Sequence, residues 1–101
     1  SLPAASAAGN GTGITITVQP ISKQLVVGEN VSLSVVASST SALTYQWFKD
    51  GVAISGATLA QLSLSNSQTD NAGVYKVVIS SNGKSLTSSE ATVKVALAYC
   101  N

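Results

Sequence analysis

The sequence predicts an all-β fold, a sandwich of two antiparallel sheets, and three observations carry that prediction. Apolar residues alternate with Ser and Thr along most of the chain, the period-two pattern of strands with one buried face. Turn residues return at intervals of about 8–12 positions, the rhythm of short strands folding back on one another. No segment sustains apolar residues at i, i+3, i+4 and i+7, so the only helical feature foreseen is one turn near 67–71. With 101 residues the chain has room for one domain and a modest core. Its 45% apolar content favours a globular chain over a disordered one. Only 9% of its residues are charged, against roughly 25% in ordinary soluble domains, so Ser and Thr supply most of the polarity. That is a frequent composition among secreted or surface-displayed β proteins.

Residues 1–13 are rich in Ala, Ser and Gly without a period and read as a flexible leader or linker. The domain is expected over 14–97, with 98–101 as a tail. Ile14, Ile16 and Val18 alternate with Thr, and Pro20 ends that strand or bends it between sheets, because proline has no N–H for a ladder. Leu25 to Val27 form a short strand closed by Gly28-Glu29-Asn30. Val31, Leu33 and Val35 share one face of the next strand, and Leu43, Tyr45 and Trp47 share one face of the strand after it. Lys49-Asp50-Gly51 is a turn, with Gly supplying the positive φ of a tight reversal. Leu62 and Leu64 mark a strand, as do Tyr75, Val77 and Ile79. Ser81-Asn82-Gly83-Lys84 centres a hairpin on Asn-Gly, the strongest short-range hairpin signal. Ala91, Val93 and Val95 complete the set. No internal repeat is visible.

The run Asp70-Asn71-Ala72-Gly73-Val74-Tyr75-Lys76-Val77 resembles the D-x-A/G-G-x-Y-x-C signature of immunoglobulin domains, with Val77 where the cysteine stands. Val31–Val35, followed twelve residues later by Tyr45-Gln46-Trp47-Phe48-Lys49-Asp50-Gly51, resembles the passage between strands B and C of the I-set type. The likeness covers residues 18–95 and implies a Greek-key immunoglobulin-like sandwich. Domains of this look, without cysteines and rich in Ser, Thr and Val, are common in bacterial surface proteins and phage virion proteins, as adhesion modules or rigid spacers.

The resemblance also assigns structural roles. Trp47 is expected at the core centre, against Val35 and Val77, which occupy the two disulfide positions. A bridge there would close a loop of about 43 residues, worth roughly 4 kcal/mol, so the valines imply folding independent of redox state. Tyr75 takes the place of the tyrosine corner, its hydroxyl bonding back to the backbone. Asp70 is expected to cap that loop by accepting backbone N–H bonds, without the arginine partner of many relatives. Leu64 joins these residues in the core. Phe48 has the parity opposite to Trp47, and with Lys49 and Lys76 it marks a contact face on the sheet of strands C, F and G.

Chemistry is hard to place on this chain. It has no His, and its four acids, Glu29, Asp50, Asp70 and Glu90, fall in separate turns or strands without calcium-type spacing. Cys100 has no imidazole to activate it. No catalytic residue, cofactor or metal ligand is therefore expected. The five Lys are scattered, there is no Arg and the net charge is +1, which argues against nucleic acid. No apolar stretch approaches the roughly 20 residues of a membrane span. The N-terminus has neither a basic segment nor an apolar one of the kind found in an intact signal peptide, which fits a processed or excised module.

Two N-x-[ST] sequons, at Asn10 and Asn30, are open to glycosylation or to chance in so Ser/Thr-rich a chain. The expected setting is extracellular, on a cell or virion surface, and the expected partner is a protein or a surface glycan. The chain is expected as a monomer, with Cys100 or the contact face as the routes to a dimer. A carbohydrate-binding accessory module is the alternative, weakened by having Phe48 as its one sheet aromatic on the outer face.

Overall fold

A computed structural model describes residues 13–97. The expected leader up to residue 12, with the Asn10 sequon, and the tail 98–101, with Cys100, lie outside the described residues. Ten strands build two layers around a core of Ile14, Leu33, Val35, Trp47, Leu62, Tyr75, Val77, Ile79, Ala91 and Val93. Every one of these is apolar or aromatic, and strand alternation sends inward all but Ile14 and Val35, which lie just outside strands.

In the first layer, β1 (Thr15–Val18) runs antiparallel to β4 (Val36–Ser38), and β3 (Val31–Ser34) runs antiparallel to β7 (Gln61–Leu64). β3 and β4 follow one another with only Val35 between them. The Val35 N–H donates to the Ala60 carbonyl at 3.0 Å, so the ladder with the β7 side extends through the break. The second layer has six strands in the order β2 (Lys23–Val26), β10 (Ala91–Ala96), β8 (Gly73–Ser81), β5 (Thr44–Lys49), β6 (Val52–Ala53), with β9 (Lys84–Thr87) also beside β8. A single 3-10 turn, Thr69–Asn71, leads into β8.

Pro20 is buried at the point where the chain leaves the first layer for the second. Strand pairing lapses there, and side chains replace it. Gln19 Oε1 accepts the Ser89 N–H and Ser22 Oγ accepts the Thr92 N–H, both at 2.9 Å. Because the chain crosses over, β2 arrives alongside β10 in parallel register, Leu25 opposite Val95. Otherwise the pairing is antiparallel, as the sequence predicts.

Two reversals follow from residue type. Asp50 (φ 51°) and Gly51 (φ 83°) are both left-handed, as are Asn82 (φ 53°) and Gly83 (φ 80°). Two consecutive positive φ values define the type I′ turn, whose twist matches the flanking strands. The segment after Thr87 departs from the single strand that Ala91, Val93 and Val95 suggest. At Ser88 the run breaks into β9 and β10, and the serine hydroxyl stands in for a backbone carbonyl. Its Oγ accepts the Val77 N–H at 3.0 Å while the Ser88 N–H reaches the Val77 carbonyl at 2.9 Å. A hydroxyl that both accepts and donates satisfies a buried amide at a bulge.

Candidate functional site: the outer face of the β5–β8 ladder

β5 and β8 pair over six positions, Thr44 with Ser80 through Lys49 with Tyr75. Trp47 faces Val77 in that register, and both are fully buried. The next pair, Phe48 and Lys76, points the other way and stands half-buried on the solvent side of the layer. On its other flank Phe48 is opposite Ala53 of β6, so the ring has an ammonium-bearing chain on one side and a methyl on the other. Gln46 opposite Val78 and Thr44 opposite Ser80 continue the face. The Gln46 amide turns to the layer's edge, where Nε2 donates to the Ile54 carbonyl at 2.8 Å.

Lys49 does not belong to that face. Its register partner is Tyr75, so it has the parity of Trp47 rather than of Phe48. Strand alternation alone removes it, since neighbours on one strand point to opposite sides. Lys49 Nζ instead lies 3.4 Å from Asp50 Oδ2 at the end of β5.

Asp50 does more than close the turn. Its Oδ1 accepts the Val74 N–H at 2.9 Å and its own N–H donates to the Val74 carbonyl at 2.8 Å. The Val74 N–H holds the Asp50 carboxyl below the ordinary carboxylate range, with a smaller contribution from Lys49. The carboxylate lies over Gly73. A Cβ there would stand 2.8 Å from Oδ2 and 3.0 Å from Oδ1, so the glycine of the signature leaves room for this latch.

The expected framework residues separate. Val35, Trp47, Tyr75 and Val77 are buried and Leu64 is half-buried against them. Trp47 Nε1 donates to the Leu59 carbonyl at 2.7 Å. Tyr75 Oη donates to the Asn71 carbonyl at 2.6 Å. Burial pushes the Tyr75 phenol up, and the Asp50 and Asp70 charges push it further. Asp70, expected as the loop cap, is exposed in the 3-10 turn. The cap is Asn71, whose Oδ1 accepts the Gln68 N–H at 2.8 Å. At the tip of so short a turn the side chain at position 70 points to solvent, while the one at 71 folds back on the turn's start. Asp70 acts on Tyr75 through its field.

Along β2 and β10 runs an open depression of about 440 Å³ lined by Gln24, Val26, Glu29, Lys94 and Ala96, among others. Glu29, its one acid, spends Oε1 on the Val26 N–H at 2.8 Å. Among the described residues no group of three or more acids or thiols is placed to hold a metal, and none of the described helices is long and apolar enough to cross a membrane. Asn30, the sequon asparagine inside the domain, accepts the Asn66 N–H on Oδ1 at 2.8 Å.

A family model described as "Immunoglobulin domain" matches residues 15–81. No curated protein matches the chain. Among solved structures, titin M4 superposes with a TM-score of 0.72 at 20% identity, covering 82% of this chain and 95% of that one. A chain of the titin M10–obscurin-like 1 Ig complex gives 0.75 at 20% identity, with 86% and 97% covered. The tandem Ig repeats of Dlar give 0.77 at 19% identity, covering 85% of this chain and 50% of that one.

Proposed function

The chain belongs to the immunoglobulin domain family, and on that premise we propose a non-catalytic module of a secreted or surface-displayed protein, a rigid spacer with a recognition face. The observation that carries this reading is the Phe48–Lys76 pair, an aromatic ring held in register beside an ammonium group on the solvent side of the best-paired ladder. Aromatic residues on a rigid sheet bury large contact area at little entropic cost, which is why they recur as binding anchors. The aliphatic pair Val35 and Val77 suits a module that folds in any redox environment, as a domain of the bacterial or phage I-set type would.

The test is a screen of the purified chain against a glycan array and intact bacterial cells, with Phe48→Ala alongside. Saturable binding that Phe48→Ala abolishes is the expected result. Binding that survives the substitution moves recognition to another surface, and a folded chain that binds nothing leaves spacing as the whole role. Ligands found on the array instead of on cells would favour a carbohydrate-binding accessory module.

A further inference from the structure

Among the described residues the first layer ends at β7, and the side of β7 away from β3 has no strand beside it. Between β6 and β7 the chain forms no strand, so residues 54–60 do not extend the layer. The direction of the free groups follows from one bond. Val35 and Ala60 are opposite one another and joined by the 3.0 Å N–H···O=C contact, so they form a bonded pair of the antiparallel ladder. Bonded and non-bonded pairs alternate. Leu33–Leu62 and Val31–Leu64 are then bonded pairs, and Gln61 and Ser63 aim both N–H and C=O outward. Gln61 and Ser63 are exposed, and among the described residues neither makes a hydrogen bond outside the ladder.

Three other edge strands, β1, β2 and β6, carry devices that discourage pairing. β1 is interrupted by a register shift between Ile16 and Val18 and ends just before Pro20. β2 carries Lys23, and β6 is two residues long. β7 has no proline, no charge and no register shift along its ladder. Residues 51–69 contain no Asp, Glu, Lys or Arg at all. Leu59, two positions before Gln61, is 70% exposed.

We propose that β7 is a homotypic docking edge, pairing antiparallel with β7 of a second copy about a two-fold axis through Leu62. The charge pattern names the occupant. A charged strand would bring ions beside an uncharged edge with nothing to pair them, whereas β7 meets itself without repulsion. A two-fold interface must be self-complementary, and this register is. Gln61 bonds with Ser63 of the second copy and Ser63 with its Gln61, so four backbone hydrogen bonds use every outward group. Leu62 meets its equivalent on the core side, and Leu59 falls opposite Ser65 of the second copy. The surface lies on the layer opposite Phe48, so this pairing stands or falls independently of recognition there. It replaces the monomer that the sequence suggests and needs no Cys100 bridge.

Sedimentation equilibrium of the full chain, with reductant present to silence Cys100, tests it across a concentration series. Ser63→Pro removes an N–H that the β3 ladder does not use, and Ser63→Ala keeps it. The expected result is a concentration-dependent dimer in wild type and Ser63→Ala, with the dissociation constant raised at least about tenfold in Ser63→Pro. Gln61→Lys, which sets two ammonium groups on the short ladder, gives the same weakening should the proline variant not fold. A wild-type chain that stays monomeric up to about 1 mM overturns the proposal. So does a dimer that Gln61→Lys and a folded Ser63→Pro leave unchanged.

Discussion

β8 and β7 are strands of one sandwich, held in different ways. β8 is nine residues long, has neighbours on both sides, and buries Tyr75, Val77, Ile79 and Ser81 in strict alternation. Turn chemistry pins it at both ends, by the Asp50 latch on Val74 and by the Asn82-Gly83 reversal. β7 is four residues long with one neighbour, and an irregular segment feeds it. Three carbonyls of that segment go to β5, in the other layer. Leu59 bonds Trp47 Nε1, Ile54 bonds Gln46 Nε2, and Ala57 takes the Trp47 N–H. Residues 54–60 are therefore anchored by side chains and backbone of the same ladder that β8 completes. An edge supported from behind in this way can remain open in front.

Breaking the shared anchor gives the largest effect. Trp47→Ala empties the centre of the core and leaves the Leu59 carbonyl without its indole donor. Aromatic-to-alanine changes in cores cost about 3–5 kcal/mol, a large share of the roughly 5–15 kcal/mol by which domains are stable. Urea unfolding followed by circular dichroism is expected to show a loss of that size. A loss under about 1 kcal/mol would mean that the two regions do not share this anchor.

Gly73→Ala strikes β8 alone. The new Cβ stands against the Asp50 carboxylate at 2.8 Å, and overpacking of this kind costs about 1–3 kcal/mol. The latch is the specific cause, so Asp50→Ala should remove much of the penalty. The expected double-mutant cycle is non-additive, measured by unfolding free energies of the two single variants and the pair. Strict additivity would place the penalty on the Lys49 side chain instead, whose Cε lies 3.1 Å from the same position.

Tyr75→Phe removes one hydrogen bond and leaves the Asn71 carbonyl short of its donor, an expected loss of about 1 kcal/mol. It carries a pH signature as well. Folding raises the phenol's pKa, so the folded chain holds the proton more tightly than the unfolded one. That contribution is complete below the unfolded value and is lost as pH rises from there through the raised folded value. Wild type should therefore lose stability more steeply than Tyr75→Phe on the alkaline side, read as unfolding midpoints against pH. Parallel alkaline limbs would refute the assignment.

How much of this was legible depended on whether a feature is local. The period-two runs place Leu33, Val35, Val77 and Val93 inward because alternation is a property of each strand by itself. Asp50-Gly51 and Asn82-Gly83 announce their turns because left-handed backbone selects for those residues. The Tyr75 hydroxyl finds its carbonyl only four residues away. The features that were missed depend on tertiary context. The sequence groups Lys49 with Phe48 by adjacency, though adjacency on a strand means opposite faces. Asp70 matched a signature position, and only the turn's geometry shows that Asn71 takes the bond. Nothing in the spacing marks Ser88 as a break or β2 as a parallel strand, because the first depends on the Val77 amide of β8 and the second on how Pro20 redirects the chain. The open side of β7 did leave a trace, the charge-free run 51–69, whose meaning needed the topology.

The smallest expected effect sharpens the comparison from the β7 side. Leu59 is 70% exposed, and what the fold uses is its backbone carbonyl, the acceptor for Trp47 Nε1. A serine keeps that carbonyl, and the leucine side chain contributes little burial to lose. Leu59→Ser should then change unfolding free energy by less than about 0.5 kcal/mol, the usual range for surface positions, when measured at concentrations too low for association. The same carbonyl makes the residue indispensable as backbone while leaving its side chain dispensable for folding. A loss above about 1.5 kcal/mol would mean that the leucine packs into the domain. Residues 54–60 would then close the sandwich as a strand would, and the contrast between β7 and β8 would shrink to a difference in length.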